Sequence, residues 1–84
     1  MSADNAVYIR PMPDGRIAVK LINSLYAEDM PDSDLDKEFA DAPHFNTMEE
    51  AYDEDERIQD EVANEGGYIE YGTEILKRKD AQPT

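Results

Sequence analysis

Cysteine is missing from all 84 residues, which removes disulfides, thiolate metal sites and a thiol nucleophile. A reducing compartment suits such a chain. Histidine occurs once, at His44. A transition-metal site would therefore lack a second imidazole or thiolate, and a general base would lack an evident nucleophile and orienting group. No apolar run approaches the roughly 20 residues needed to cross a bilayer. The opening residues carry no basic region followed by an apolar stretch, so neither a membrane span nor a signal peptide is expected. Positive charge is also scarce. Eight Lys and Arg face 21 Asp and Glu, a net of −13. Such a chain is repelled by nucleic acid and anionic membranes and attracted to basic proteins.

High charge with only 39% apolar residues is compatible with disorder, but the charge is segregated. Residues 1–27 carry a net of +1 and residues 66–84 a net of 0, whereas residues 28–65 hold 16 acids against Lys37 and Arg57, a net of −14. Two nearly neutral flanks bracket one acidic segment. The length fits one small domain, expected over residues 1–79 with an acidic connector at 28–42 and a frayed tail at 80–84.

Periodicity supplies the elements. Ala6 to Pro11 and Arg16 to Ile22 read as an antiparallel hairpin, with Val7 and Ile9 on one face and Tyr8 and Arg10 on the other. In the second run Ile17, Val19 and Leu21 alternate with Ala18 and Lys20. Pro13-Asp14-Gly15 has the chemistry of a turn. Leu25-Tyr26 would extend or follow the second strand. The connector is anchored by Leu35 and Phe39, with a short helical turn expected over 34–40, and Pro43-His44-Phe45 reads as an edge strand. Thr47 followed by Glu50 forms a capping box. Met48, Ala51, Tyr52, Ile58 and Val62 then mark one helix face. Gly66 offers the left-handed stop. Strand character resumes over Tyr68 to Leu76, with Ile69, Tyr71 and Ile75 sharing a face. The expected fold is α+β: a three- to four-stranded, mostly antiparallel sheet with one main helix packed on one face, in β-β-α-β order.

The helix surface opposite the apolar stripe is the leading candidate site. Glu49, Asp53, Glu56 and Asp60 recur at four, three and four residues and so share one side. Their roughly 5–6 Å spacing along the axis resembles that of neighbouring phosphates in a nucleic-acid strand. Glu54 and Glu61 flank them, and Asp32, Asp34 and Asp36 extend the acidic surface. The alternative for all nine is a solvated surface that confers solubility. Asp32-Ser33-Asp34-Leu35-Asp36 has the alternate carboxylates of a calcium loop, but the sixth and twelfth positions hold Lys37 and Pro43 instead of glycine and glutamate. Gly66-Gly67 lacks the strand-glycine-helix order of a phosphate cradle. No cofactor, metal site or catalytic residue is expected, and so small a chain has little room for a substrate cleft. Tyr8 and Tyr68 are the aromatic residues expected to be exposed as interface anchors.

Met1-Ser2-Ala3-Asp4-Asn5 with Val7-Tyr8-Ile9, Pro13-Asp14-Gly15, Thr47-Met48-Glu49-Glu50-Ala51 and Glu70-Tyr71-Gly72 together resemble a group of small bacteriophage and prophage proteins. That resemblance implies a phage source and a bacterial host cytoplasm, and it supplies no catalytic residues. Joined to the charge placement, it leads to a concrete expectation: a non-enzymatic inhibitor of anti-CRISPR or anti-restriction type. Its clustered carboxylates would mimic nucleic acid on the basic surface of a bacterial nucleic-acid-binding protein or complex. The protein would be a monomer or homodimer and would bind neither nucleic acid nor membrane. The alternative is a phage accessory or self-associating structural protein whose charge serves solubility.

Overall fold

The computed structural model describes residues 5–78. The elements are β1 (Asn5–Pro11), β2 (Ile17–Asn23), α1 (Ser24–Asp29), α2 (Asp32–Glu38), β3 (His44–Phe45), α3 (Met48–Asn64) and β4 (Thr73–Ile75). The protein is α+β. Its four strands form one mixed sheet in the order β3-β2-β1-β4. β1 pairs antiparallel with β2 and parallel with β4, and β2 pairs antiparallel with β3.

The hairpin forms as its sequence predicts. The Met12 carbonyl accepts from the Gly15 N–H at 3.0 Å, and Gly15 sits at φ 89°, where a side chain would be strained. Asp14 fixes the exit by accepting from the Arg16 backbone N–H at 2.9 Å. Val7, Ile9 and Val19 point to one side of the sheet and pack under Ala51 of α3, with Ile17, Leu21, Phe45, Ile58 and Ile69 around them.

α3 begins at the expected box: the Thr47 hydroxyl accepts from the Glu50 N–H at 3.2 Å, and the Glu50 carboxylate accepts from the Asn46 N–H. It ends in a Schellman motif. The Gly67 N–H reaches the Val62 carbonyl at 3.0 Å and the Gly66 N–H reaches that of Ala63 at 3.1 Å, with Gly66 at φ 85°. The edge strand at His44–Phe45 is also present, and Pro43 contributes its carbonyl to the Val19 N–H.

The opposite sheet face differs from expectation. Residues 28–42 are not an irregular connector: the chain turns directly from β2 into α1 and then into α2, which starts two residues before the expected turn. Ala27, Leu35 and Phe39 are fully buried there against Ala6, Tyr8 and Ala18. The hairpin is therefore covered on both sides, and Tyr8, expected as an exposed anchor, is a core residue. Tyr68 is exposed, as expected. The last strand is confined to Thr73–Ile75 because Gly72 adopts φ 65° and breaks the extended run before it. As a result Ile69 packs on the core while Tyr71 and Ile75 are exposed, and the three do not share a face. The opening Met1-Ser2-Ala3-Asp4 motif, and the expected tail at 80–84, lie outside the described residues.

Candidate functional site

The acidic segment divides between two helices on opposite sides of the sheet, and the two treat their charge differently. On α2 the carboxylates are drawn inward by cations from other elements. Arg10, fully buried on the inner strand β1, donates from Nη1 to Asp36 at 2.6 Å and from Nη2 to Asp32 at 3.1 Å. Its guanidinium lies 5.9 Å from the centre of the Phe39 ring, an additional cation–π contact. Arg78 reaches Asp36 from beyond β4 at 2.8 Å. Lys20 donates to the Glu38 carboxylate and to the Glu38 carbonyl, both at 2.8 Å, and to Asp41 at 3.2 Å. Two strand cations thus fasten the two ends of α2. Hydrogen bonds from Arg78 and then Arg10 hold the Asp36 carboxyl below its usual range. The bond to Glu38 raises the Lys20 ammonium above its own.

Of the α2 candidates, Asp32 is buried and Asp36 half-buried in this cluster, and Asp34 remains exposed. The cluster is made by side chains far apart in sequence, which a count of charges along residues 28–65 does not register.

On α3 the four-membered stripe is present as a surface. Glu49, Asp53, Glu56 and Asp60 are all exposed, and among the described residues none of them is in an ion pair. Glu54 and Glu61 lie round the helix from the stripe, and Arg57 bridges them at 2.7 and 2.9 Å. The Arg57 hydrogen bonds lower the Glu54 carboxyl and raise the guanidinium. Met48–Asn64 carries eight carboxylates and one guanidinium, a net of −7. No protein-family model, curated protein or solved structure matches the chain. The likeness to small phage proteins thus rests on the short motifs that suggested it.

One polar site escaped the sequence reading. Asp55 lies in the apolar stripe of α3, buried between Ala51 and Ile58. Its carboxylate accepts from the Thr73 hydroxyl at 2.6 Å and the Gln59 amide at 2.9 Å, and Gln59 also donates to Thr73 at 2.8 Å. This triangle ties β4 to α3. The signal was available in the period: Asp55 stands four residues after Ala51 and three before Ile58. The same geometry leaves Met48 and Tyr52, both expected on the buried stripe, at 38% and 45% exposure. His44 directs Nδ1 at the Ala42 carbonyl at 2.7 Å, a donor role that closes the turn before β3. Among the described residues no group of three or more His, Cys, Asp or Glu could hold a metal ion. No helix there is long and apolar enough to cross a membrane.

Proposed function

We propose that this protein is a non-enzymatic binding module. The acidic face of α3 engages the basic, nucleic-acid-binding surface of another protein and takes the place of a run of phosphates. In concrete form it is an inhibitor of a bacterial nucleic-acid-binding defence complex, of anti-CRISPR or anti-restriction type, acting in the host cytoplasm. The observation that supports this reading is the contrast between the helices. α2 has three of its four acids, Asp32, Asp36 and Glu38, bonded to cations, whereas Glu49, Asp53, Glu56 and Asp60 stand exposed without an ion pair among the described residues. A like-charged row on one helix face costs stability, and its field speeds encounter with a basic partner and discriminates against acidic ones.

The test uses bacteria carrying an active CRISPR or restriction system. Expression of the chain should raise phage plaque counts, and E49Q/D53N/E56Q/D60N at equal abundance should abolish the effect. In the purified system, inhibition of target-DNA binding should weaken steeply with added salt. Undiminished protection by the quadruple variant would end this reading. The second reading, self-association with charge serving solubility, is favoured by the outer side of β4, where no strand pairs among the described residues. A salt-insensitive dimer in light scattering would support it.

A further inference from the structure

The exposed apolar side chains Met48, Tyr52 and Ile75 fall on one side of the molecule. Asp55 and Gln59 bond Thr73, so that flank of α3 faces the start of β4. Tyr52 and Met48 continue the same flank toward the helix start at helical spacing. Met48 and Ile75 wall a groove of about 430 Å³ floored by Ile9, Pro11 and Ile17, with Lys77 and Arg78 at one end. Such a volume suits a side chain or small ligand group. One step further round α3 lies the row Glu49, Asp53, Glu56 and Asp60. The outer side of β4, where no strand pairs among the described residues, borders the Asp55–Gln59 flank that lies between this row and the sheet. Gly72 and Leu76 bond toward β1, so the alternation of a parallel ladder turns the backbone groups of Thr73 and Ile75 outward.

Resting on the binding function proposed above, we infer that this groove and strand edge receive an extended, basic segment of the partner protein. One apolar side chain of that segment fills the groove, its backbone pairs with Thr73 and Ile75, and its Lys or Arg residues lie along the acidic row. Charge decides the occupant. A nucleic acid is repelled by a net of −13. A second copy joined edge to edge through β4, about a two-fold axis normal to the sheet, would set two α3 helices of net −7 side by side on one face. A basic strand gains from the same field on its α3 side, with its apolar anchor, not a cation, set in the groove beside Lys77 and Arg78. Because β4 has three residues, backbone pairing is short, and the apolar anchor supplies most of the selectivity.

The probes are two fluorescein-labelled peptides that alternate Lys with Val, one with a central Phe and the other with Ala in its place. Fluorescence anisotropy at low salt should show the Phe peptide binding about tenfold or more tightly than the Ala peptide, the worth of one buried aromatic side chain. Ile75→Ser, or Met48→Ser should the first variant unfold, should erase that difference and leave the Ala peptide unchanged. E49Q/D53N/E56Q/D60N should weaken both peptides. In ¹⁵N spectra the Phe peptide should shift the Met48, Thr73 and Ile75 amides. Equal affinity for the two peptides, or a preference that survives in folded Ile75→Ser and Met48→Ser, overturns the groove and leaves the acidic-face reading intact. Failure of both peptides to bind in a salt-sensitive way overturns both. A dimer in light scattering that Ile75→Ser dissociates gives the groove to a second copy and also overturns the inference.

Discussion

Neutralising the middle of the α3 row should stabilise the protein. Asp53 and Glu56 together belong to all three consecutive like-charged pairs, Glu49–Asp53, Asp53–Glu56 and Glu56–Asp60, so D53N/E56Q removes every one. Each pair costs a helix about 0.2–0.5 kcal/mol. Arg57, the one cation on α3, is committed to Glu54 and Glu61 and does not offset them. Glu49 is left in place, preserving its favourable position in the first turn of the helix. The amides differ little from the acids in helix propensity. The expected gain is therefore about 0.6–1.5 kcal/mol, or roughly 3–10 °C in Tm for a domain of this size.

Urea unfolding followed by circular dichroism at low ionic strength measures it. In ~1 M salt the Debye length falls to about 3 Å, below the separation of the carboxylates, and the gain should shrink toward zero. E70Q/E74Q changes net charge equally away from the row and should give the smaller effect. Absence of a gain at low salt, or a gain that persists at high salt, would show that the row carries no uncompensated repulsion. The inference that its charge is available to a partner would then lose its basis.

Three further outcomes follow from the α2 cluster and the α3 cap. Arg10→Met removes the cation from a pair whose side chains are 0% and 7% exposed; it should cost about 3–5 kcal/mol in urea unfolding, and Arg10→Lys should not restore the loss, because one ammonium cannot reproduce the fork that spans Asp32 and Asp36. The folded Asp36 carboxyl titrates below its unfolded value of 3.8, so its stabilisation is complete above that value and is lost as pH falls through the lower folded one; Asp36→Asn should flatten the acid limb of the stability-against-pH curve while lowering stability at neutral pH. Thr47→Ala should lower stability by about 0.5–2 kcal/mol with Thr47→Ser near neutral, read from thermal melts.

Local rules made much of the fold readable. The hairpin, the Thr47–Glu50 box, the Gly66 stop and the His44–Phe45 edge each depend on residues close in sequence, and all four formed as the residue types dictate. What escaped depends on contacts across the chain. Alternation in β1 and β2 suggested a half-buried sheet, because Tyr8, Arg10 and Lys20 read as a polar face. In fact Arg10 and Lys20 are partners for α2, whose Leu35 and Phe39 sit four residues apart in a stretch that composition marked as connector. Likewise, a segment charge of −14 could not show that Arg10, Lys20 and Arg78, all from the flanks, satisfy Asp32, Asp36, Glu38 and Asp41. The α3 row was legible because helical spacing alone places it, and its lack of cations became visible only once Arg57 was seen to turn toward Glu54 and Glu61.

The segregation noticed along the chain becomes, after folding, an asymmetry across the sheet. Three cations of the flanks, Arg10, Lys20 and Arg78, approach α2 on one face, where they hold a helix of seven residues that has no side-chain N-cap and is too short to be stable alone. Three of its four carboxylates, Asp32, Asp36 and Glu38, are taken up by these cations. α3, with 17 residues, a capping box and a Schellman stop, needs no such help, and its charge stays at the surface. A uniform shell of acids would keep the protein soluble without giving it a direction. A face of net −7 set behind a sheet from one whose acids are largely paired with cations gives the molecule an electric moment, so that a basic partner would meet α3 first and the groove beside Met48 second. Order of encounter is a kinetic property: changes along the row should act mainly on the association rate and its salt dependence, and changes at Ile75 on the dissociation rate.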